Sequence, residues 1–214
     1  MSMAPPPPPP PPPSPPPAAA SSGYPANVTI DTPERLANWR PLVQWILAIP
    51  HLLIATALNY VAEVCAFIAW LIILFTGKLP AGLGNFLAMI LRYSTRAYAY
   101  AGFLHDTYPP FGFDTTTTDP GDHPTRIDIT PALENRNRLT VGLRIIWAIP
   151  ALVLTMIVGI VAWIMWIVGF FAVLFTGKWP AGPLEWVNKG IRASVRLSTY
   201  LFLLTDEYPP NPFD

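Results

Sequence analysis

Charged residues are scarce in this 214-residue chain. Lysine, arginine, aspartate and glutamate together make up 12% of it, about half of the roughly 25% typical of soluble domains. Thirteen basic and thirteen acidic residues give a formal net charge of +0, which argues against a globally basic nucleic-acid-binding protein. The single cysteine excludes a disulfide scaffold and a thiolate metal cluster. Because 52% of the residues are hydrophobic, we expect a membrane protein rather than a water-soluble domain.

Prolines crowd the start of the chain, where Pro5 to Pro13 form an unbroken run. Such a run has no N–H donors and a locked φ, so we expect residues 1–23 to be a disordered polyproline tail outside any packed core. Two roles are open for the tail: an entropic spacer, and a docking arm for a proline-recognising partner. No basic residue stands beside the prolines to orient a docked ligand, which favours the spacer.

A hundred-residue repeat is the most informative feature of the sequence. Several groups recur at that offset: Phe75-Thr76-Gly77-Lys78 as Phe175-Thr176-Gly177-Lys178, Ala48-Ile49-Pro50 as Ala148-Ile149-Pro150, and Tyr108-Pro109-Pro110 as Tyr208-Pro209-Pro210. Repetition at a fixed period indicates two copies of one structural unit. We predict repeat 1 over residues 24–114, a polar linker over 115–122 and repeat 2 over 123–214.

Each repeat contains one long apolar run, over residues 41–76 in the first and 145–176 in the second. The second run and its flanks hold 33 consecutive uncharged residues, about 50 Å of α-helix against a hydrocarbon core of about 30 Å. A single tilted helix and a hairpin of two short arms are both open. We expect the hairpin. Its tip in the first run would hold Asn59 and Glu63 outside the hydrocarbon, and Gly159 marks the equivalent place in the second run. The hairpin also places the flanking lysines and arginines on one side of the membrane.

A second type of helix is predicted after each run, over residues 85–104 and 184–204. Polar and basic residues fall on one side and aliphatic residues on the other, with the spacing of an amphipathic helix. We expect the basic side to lie along the cytoplasmic interface, where it attracts anionic headgroups. The candidate lipid- or partner-binding residues are Arg92, Arg96, Lys189, Arg192 and Arg196. In the alternative, Arg92 and Arg96 pair with carboxylates of the other copy.

Few residues suggest chemistry. Glu63, the lone carboxylate inside an apolar run, is a candidate ion site, although Trp163 occupies the matching position of repeat 2. We expect Cys65 to be inert and His51 to be a hydrogen-bonding residue rather than a ligand. The acidic residues near the linker fit no metal-site spacing, so we expect a solvated linker. With no nucleophile elbow, phosphate loop or metal motif, we predict no catalytic residue, metal ligand, cofactor or enzymatic activity.

The repeated motifs resemble those of an uncharacterised, often tandemly duplicated family of actinobacterial membrane proteins. The family signature is Ala-Ile-Pro-His, then Phe-Thr-Gly-Lys/Arg-x-Pro, an arginine-bearing helix and Asp-x-Tyr-Pro-Pro-Phe. Here these motifs stand at residues 48–51, 75–80, Arg92 with Arg96, and 106–111. The second copy departs from the signature at Ala151 and at its end. The family is a domain of unknown function, so the resemblance implies residence in the bacterial inner membrane and supplies no activity. Thr-Gly-Lys and Tyr-Pro-Pro look like a helix-stop turn and a chain reversal.

These features predict an all-α integral membrane protein of two repeats, each a hydrophobic helical hairpin plus a basic amphipathic interfacial helix. We expect a multi-pass protein of the bacterial inner membrane with its N-terminus in the cytoplasm. The expected function is a non-catalytic accessory or scaffold protein that contacts anionic lipid headgroups or an unidentified membrane protein, and no nucleic acid. The alternative is a small, oligomeric transporter or channel component with Glu63 in the path.

Overall fold

The protein is mostly helical in the part of the chain that the computed structural model describes, residues 23–116 and 118–213. The elements in chain order are β1 (Ala26–Ile30), α1 (Arg40–Thr76), α2 (Ala81–Ala101), β2 (Thr125–Ile129), α3 (Arg138–Gly142), α4 (Arg144–Thr176) and α5 (Ala181–Leu201). Contrary to the all-α prediction, β1 and β2 form a two-stranded antiparallel sheet. The predicted polyproline tail lies outside the described residues, apart from Gly23.

Each apolar run forms one continuous helix, so the predicted hairpin is wrong. α1 passes through Asn59 and Glu63, and α4 passes through Gly159, without interruption. All three residues keep a backbone N–H, so the helical hydrogen bonds continue, and a glycine within a helix costs only about 1 kcal/mol. The Asn59 amide donates to Ala55 O at 2.8 Å and to Ser94 Oγ at 3.2 Å. Its polar group is therefore satisfied inside the fold rather than at the tip of a hairpin.

The Thr-Gly-Lys motif ends each long helix, as the sequence predicted. Gly77 and Gly177 take φ values of 72° and 68°, in the left-handed region where a glycine meets no Cβ clash. Their N–H groups donate to Ile73 O at 2.7 Å and Val173 O at 2.8 Å. The chain then reverses, so that α2 packs back along α1 and α5 packs back along α4. Each repeat is thus an antiparallel pair of helices.

The second helix of each pair begins and ends three or four residues earlier than predicted. α2 and α5 begin directly after Pro80 and Pro180. They end early because Phe103 and Leu203 take positive φ values of 48° and 65°, a conformation that a right-handed helix cannot include.

The two repeats lie antiparallel and exchange their N-terminal segments. Leu36 N donates to Gly177 O at 2.8 Å, and, reciprocally, Arg136 N donates to Gly77 O at 3.0 Å. The strand of each repeat packs on the second helix of the other, β1 on α5 and β2 on α2. These reciprocal contacts relate the two repeats by a pseudo-twofold axis, which passes near the central pair of the sheet, Val28 and Ile127.

Hydrogen bonds at both ends show that α1 and α4 run side by side in opposite directions. Asn38, just before α1, donates from Nδ2 to Leu174 O near the end of α4 at 3.0 Å. Trp70, near the end of α1, donates from Nε1 to Val141 O just before α4 at 3.0 Å. The described chain therefore has three layers: the sheet, then α2 with α5, then α1 with α4.

Small residues form the buried side of each long helix. On α1 they recur every seven residues, at Ala48, Ala55, Ala62 and Ala69, and α4 has Ala148, Ala162 and Gly169 at matching positions. Small side chains allow helix backbones to approach closely, as they do between helices in membranes. The approach is closest at Gly169, which contacts the Trp179 ring, and at Gly190, which contacts Ala162.

Two glycines of α4 provide a test of this packing. A Cβ on Gly169 would lie 1.9 Å from the Trp179 ring, whereas a Cβ on Gly159 would meet nothing within 4 Å. We expect Gly169→Ala to lower the apparent Tm of the detergent-solubilised protein, because overpacking costs about 1–3 kcal/mol. The matched variant Gly159→Ala should keep or raise the Tm, because alanine favours a helix by about 1 kcal/mol. Equal changes in both variants would contradict the close contact between Trp179 and α4.

Candidate functional site

α1 and α4 share a broad apolar face that no described part of the chain covers. In the most apolar 18-residue window of each helix, mean hydropathy is 2.1 and 2.6, and only 17% of the residues are buried. The exposed side chains recur at intervals of three, four or seven residues: Leu42, Ile46, Ile49, Leu53, Tyr60, Val64, Phe67 and Leu71 on α1, and Ile146, Ile149, Val153, Ile160, Ile164 and Phe171 on α4. A contiguous apolar surface of this extent is typical of a contact with a membrane or another protein. By length and composition alone, both helices could cross a membrane.

The structure places Arg92 and Arg96 in the interior, so their predicted exposure on α2 is wrong. Their exposed fractions are 4% and 8%, because β2 and the linker cover that side of α2. Arg92 Nε donates to Ile127 O at 3.4 Å, and Arg96 Nε donates to Thr125 O at 3.2 Å. Both guanidinium groups therefore hold the sheet against α2 and are not available to lipid headgroups.

Asp119 is the counterion of this buried arginine pair. It lies 2.8 Å from Arg96 Nη2 and 3.5 Å from Arg92 Nε, and its side chain is 2% exposed. The carboxylate also accepts from Ile127 N at 3.0 Å and from Gly121 N at 3.0 Å. The alternative prediction, that Arg92 and Arg96 pair with carboxylates, is therefore correct. The carboxylate belongs to the linker, however, and not to the other repeat as predicted. The prediction of a solvated linker is wrong for Asp119. Its carboxylate is buried because it pairs with two arginines of α2 that are more than 20 residues away in the sequence.

The basic residues of α5 are more exposed and contact different groups. Arg192 is exposed, and its Nε donates to Val28 O at 3.4 Å. Lys189 lies 3.5 Å from Glu185 and 5.4 Å from the centre of the Trp186 ring. Arg196 is half-buried, with its guanidinium 5.8 Å from the centre of the Tyr24 ring. The five predicted basic residues therefore do not form one common surface.

The signature motifs of repeat 1 meet around His51. Its Nδ1 lies 2.8 Å from Tyr93 Oη, as the hydrogen-bonding prediction requires, and its ring stacks on Phe111 at 4.1 Å and meets Tyr108 edge-on at 4.7 Å. In repeat 2 the histidine and tyrosine are replaced by Ala151 and Ala193. A cavity of about 340 Å³ occupies that place, lined by both alanines and by residues 208–212. The two repeats thus share a fold but not this cluster.

Another pair of matching positions satisfies the carbonyl groups at the ends of α2 and α5. Gln44 Nε2 donates to Tyr100 O and His105 O at 2.8 and 2.7 Å. Arg144 Nη1 donates to the matching carbonyls, Tyr200 O and Thr205 O, at 2.6 and 2.7 Å. A helix end leaves carbonyl groups without intrahelical partners, so an amide and a guanidinium perform the same structural role. The sequence repeat aligns Gln44 with Arg144 but gave no sign of this role.

Two buried histidines, His105 and His123, lie in contact with ring centres 4.9 Å apart. Burial, and next the neighbouring His123, lower the pKa of His105 to about 4. His105 Nε2 lies 3.0 Å from Thr125 Oγ1. Among residues 23–116 and 118–213, no group of three histidines, cysteines or carboxylates could hold a metal ion. The histidines are therefore neutral packing groups near physiological pH in this environment.

A groove of about 590 Å³ lies between the four long helices, within the roughly 300–1,000 Å³ range of small-molecule sites. Its lining is largely apolar, with polar groups from Asn59, Ser94, Ser194 and Ser198. Glu63 is exposed and does not line the groove, but it lies one helical turn from Asn59 on the same side of α1. The structure thus brings the candidate ion site near the groove without placing it inside.

Sequence comparison assigns both repeats to one family. The family described as Domain of unknown function (DUF4389) matches residues 38–112 and again residues 138–213, together 151 of the 214 residues. No curated protein and no solved structure matches the chain. The double match confirms the tandem repeat that the hundred-residue offset predicted.

Asparagine variants test the buried ion cluster. Asp119→Asn would leave two buried arginines without their counterion, and breaking a buried ion pair costs about 3–5 kcal/mol. We expect a large fall in the apparent Tm of the detergent-solubilised protein. The control is Asp122→Asn, because Asp122 lies 3.7 Å from Arg96 with its side chain 68% exposed, and an exposed pair is worth at most about 1 kcal/mol. Similar Tm values for the two variants would contradict the assigned role of Asp119.

Proposed function

We propose that this chain, which belongs to the DUF4389 family, is a non-catalytic membrane scaffold whose α1–α4 face inserts into the lipid bilayer. The observation that supports the proposal best is the uncovered apolar face. Burying one large apolar side chain is worth about 1.5–3 kcal/mol. More than a dozen such side chains lie on this face, so contact with lipid would stabilise the protein strongly.

The opposite side of the molecule is polar and suits water. On the strands, Val28, Ile127 and Ile129 point inward, while Arg126 and Asp128 point outward. Arg126 pairs at 2.8 Å with Asp31, on the segment that follows β1. The sheet and the linker therefore form a polar layer that the two apolar helices would hold against the membrane surface. An unidentified membrane protein partner would meet this layer or the edge of the apolar face.

We place the protein in the bacterial inner membrane with the polar layer and the N-terminus in the cytoplasm. The support is the set of exposed basic residues near the ends of the apolar helices, because cytoplasmic segments beside a membrane carry an excess of lysine and arginine. The proposed contact with lipid does not include Arg92 and Arg96, since both are buried, nor Lys189, which lies 3.5 Å from Glu185.

A second candidate function, a transporter or channel component, draws support from the groove between the helices. Asn59 and three serines give the groove polar groups, and Glu63 lies one turn away on the same side of α1. A carboxylate beside a polar groove in an apolar layer is a candidate proton or cation site.

Charge substitutions test the membrane contact. The triple variant Leu53→Asp, Phe67→Asp and Ile160→Asp puts carboxylates on the apolar face, where each costs up to about 3 kcal/mol in hydrocarbon. We expect the wild-type protein to stay with bacterial membranes after an alkaline carbonate wash and the triple variant to leave the membrane fraction. The control triple Gly23→Asp, Thr29→Asp and Thr130→Asp adds the same charge to the polar layer and should stay bound. If both triples behaved alike, the apolar face would not be the membrane contact.

A measurement of proton flux tests the transporter or channel candidate. The purified protein would be placed in liposomes that enclose a pH-sensitive dye, and a proton gradient would be applied. If Glu63 lies in a proton path, we expect the wild type to dissipate the gradient and Glu63→Gln to abolish that flux, because the variant lacks the titratable group. Glu34→Gln, at an exposed glutamate outside α1, serves as the control. Wild-type flux no greater than that of empty liposomes would rule the proton path out.

A further inference from the structure

We infer that α1 and α4 lie in the plane of a single leaflet, with two clusters of exposed cations at their ends bound to anionic lipid headgroups. The inference rests on the proposed function and adds how the apolar face meets the bilayer and which lipids it selects. An in-plane helix inserts its apolar face about 5–10 Å into the boundary between headgroups and acyl chains.

The lengths of the two helices argue against a crossing. α1 has 37 residues and α4 has 33, about 55 and 50 Å of helix, whereas about 20 residues cross the hydrocarbon core. In a crossing helix, more than ten apolar residues would project into water or force a steep tilt. A helix that lies along the interface has no such limit on its length.

The position of the sheet is a stronger argument that α1 and α4 do not span the bilayer. The sheet centre lies beside Arg92 and Arg192, which donate to Ile127 O and Val28 O and stand near the middle of α2 and α5. If α1 and α4 crossed the bilayer, the sheet would lie at mid-membrane with Arg126 and Asp128 on its outer face. Open sheet edges and charges exposed to lipid are not tolerated at that depth. With α1 and α4 in plane, the same sheet lies farthest from the membrane, in water.

Exposed cations stand at both ends of the α1–α4 layer. At the end of α1, Lys78 follows the turn, and the side chain of Arg138 packs beside Gly77. At the end of α4, Lys178 follows the turn, and Arg35 packs beside Gly177. All four cations are exposed. We name these two pairs the end cations.

One exposed glutamate stands near each pair of end cations: Glu34 directly precedes Arg35 in the chain, and Glu134 contacts Lys78. Glu134 lies 3.4 Å from Lys78, and both side chains are about two-thirds exposed. An exposed pair of this kind contributes little, so Lys78 can exchange its partner for a phosphate. Two cations against one carboxylate at each end complement an anionic surface, where each cation contributes about 1 kcal/mol.

Tryptophans mark the same boundary. Trp39 and Trp45 stand near the start of α1 and Trp147 near the start of α4, and each is about half exposed. Tryptophan rings concentrate at the level of the lipid headgroups. Because the two helices are antiparallel, these rings occur at both ends of the apolar layer, which fits two ends that meet the same interface.

Side-specific labelling separates the two arrangements. Gly82 and Gly182 are exposed, a Cβ on either meets nothing within 4 Å, and they lie at opposite ends of the molecule. Cysteines introduced there one at a time, in a Cys65→Ser background, would be treated with a membrane-impermeant maleimide in sealed vesicles of known orientation. We expect Gly82→Cys and Gly182→Cys to react from the same side. Reaction from opposite sides would overturn the in-plane arrangement, while the proposed membrane contact would stand.

Vesicle binding tests the headgroup contact. The double variant Lys78→Gln and Arg138→Gln should bind vesicles that contain phosphatidylglycerol about 30-fold more weakly than the wild type, because two cations are removed. Binding to pure phosphatidylcholine vesicles should change little. The control Arg126→Gln and Lys189→Gln removes the same charge away from both ends and should retain most of the affinity. Equal losses in the two double variants would overturn the assignment of the end cations. A wild type that bound neither kind of vesicle would instead contradict the proposed function.

Discussion

The reciprocal exchange between the two repeats is the constraint on which the rest of the structure depends. On the side of the sheet, each second helix is covered by the strand of the other repeat: β2 covers α2 and β1 covers α5. The exchange is fixed at three places, the sheet register Val28–Ile127 and the backbone bonds of Leu36 and Arg136 to the opposite glycine turns. Because the exchange inverts one repeat relative to the other, it also sets α1 antiparallel to α4.

The same constraint determines which surface is left apolar. The sheet and the linker occupy one side of α2 and α5, and α1 and α4 occupy the other. Only the outer face of α1 and α4 remains without a layer among the described residues. The buried charges follow the same geometry, since Asp119 neutralises Arg92 and Arg96 beneath the sheet, on the side away from that apolar face. Polar and apolar groups are thus separated along the pseudo-twofold axis.

The sequence predicted what depends on local or periodic signals. The repeat, the two apolar segments and the glycine turns at Gly77 and Gly177 are correct because identical motifs and long uncharged runs encode them directly. The burial of Arg92 and the position of Asp119 depend on contacts more than 20 residues apart, which amphipathic spacing cannot reveal. The hairpin failed for a different reason: Asn59 and Glu63 are unfavourable in hydrocarbon, but neither breaks a helix. The free-energy cost of a polar side chain in hydrocarbon limits how deep that residue can lie in a membrane, but it does not determine where a helix ends.

Differences between the two repeats indicate which features the shared fold requires and which recur at both ends of the α1–α4 layer. The cluster of His51 and Tyr93 is absent from repeat 2, where Ala151 and Ala193 border a cavity, so that cluster is not essential to the shared fold. The end cations behave differently. Arg35 and Arg138 come from positions that do not match in the two repeats, yet each lies beside the opposite glycine turn. An exposed arginine thus lies beside each glycine turn, although the two arginines come from different sequence positions. This recurrence indicates that the two ends of the molecule share a similar environment. In the proposed in-plane arrangement, one membrane interface touches both ends and provides that environment, whereas helices that crossed the bilayer would expose the two ends to different compartments.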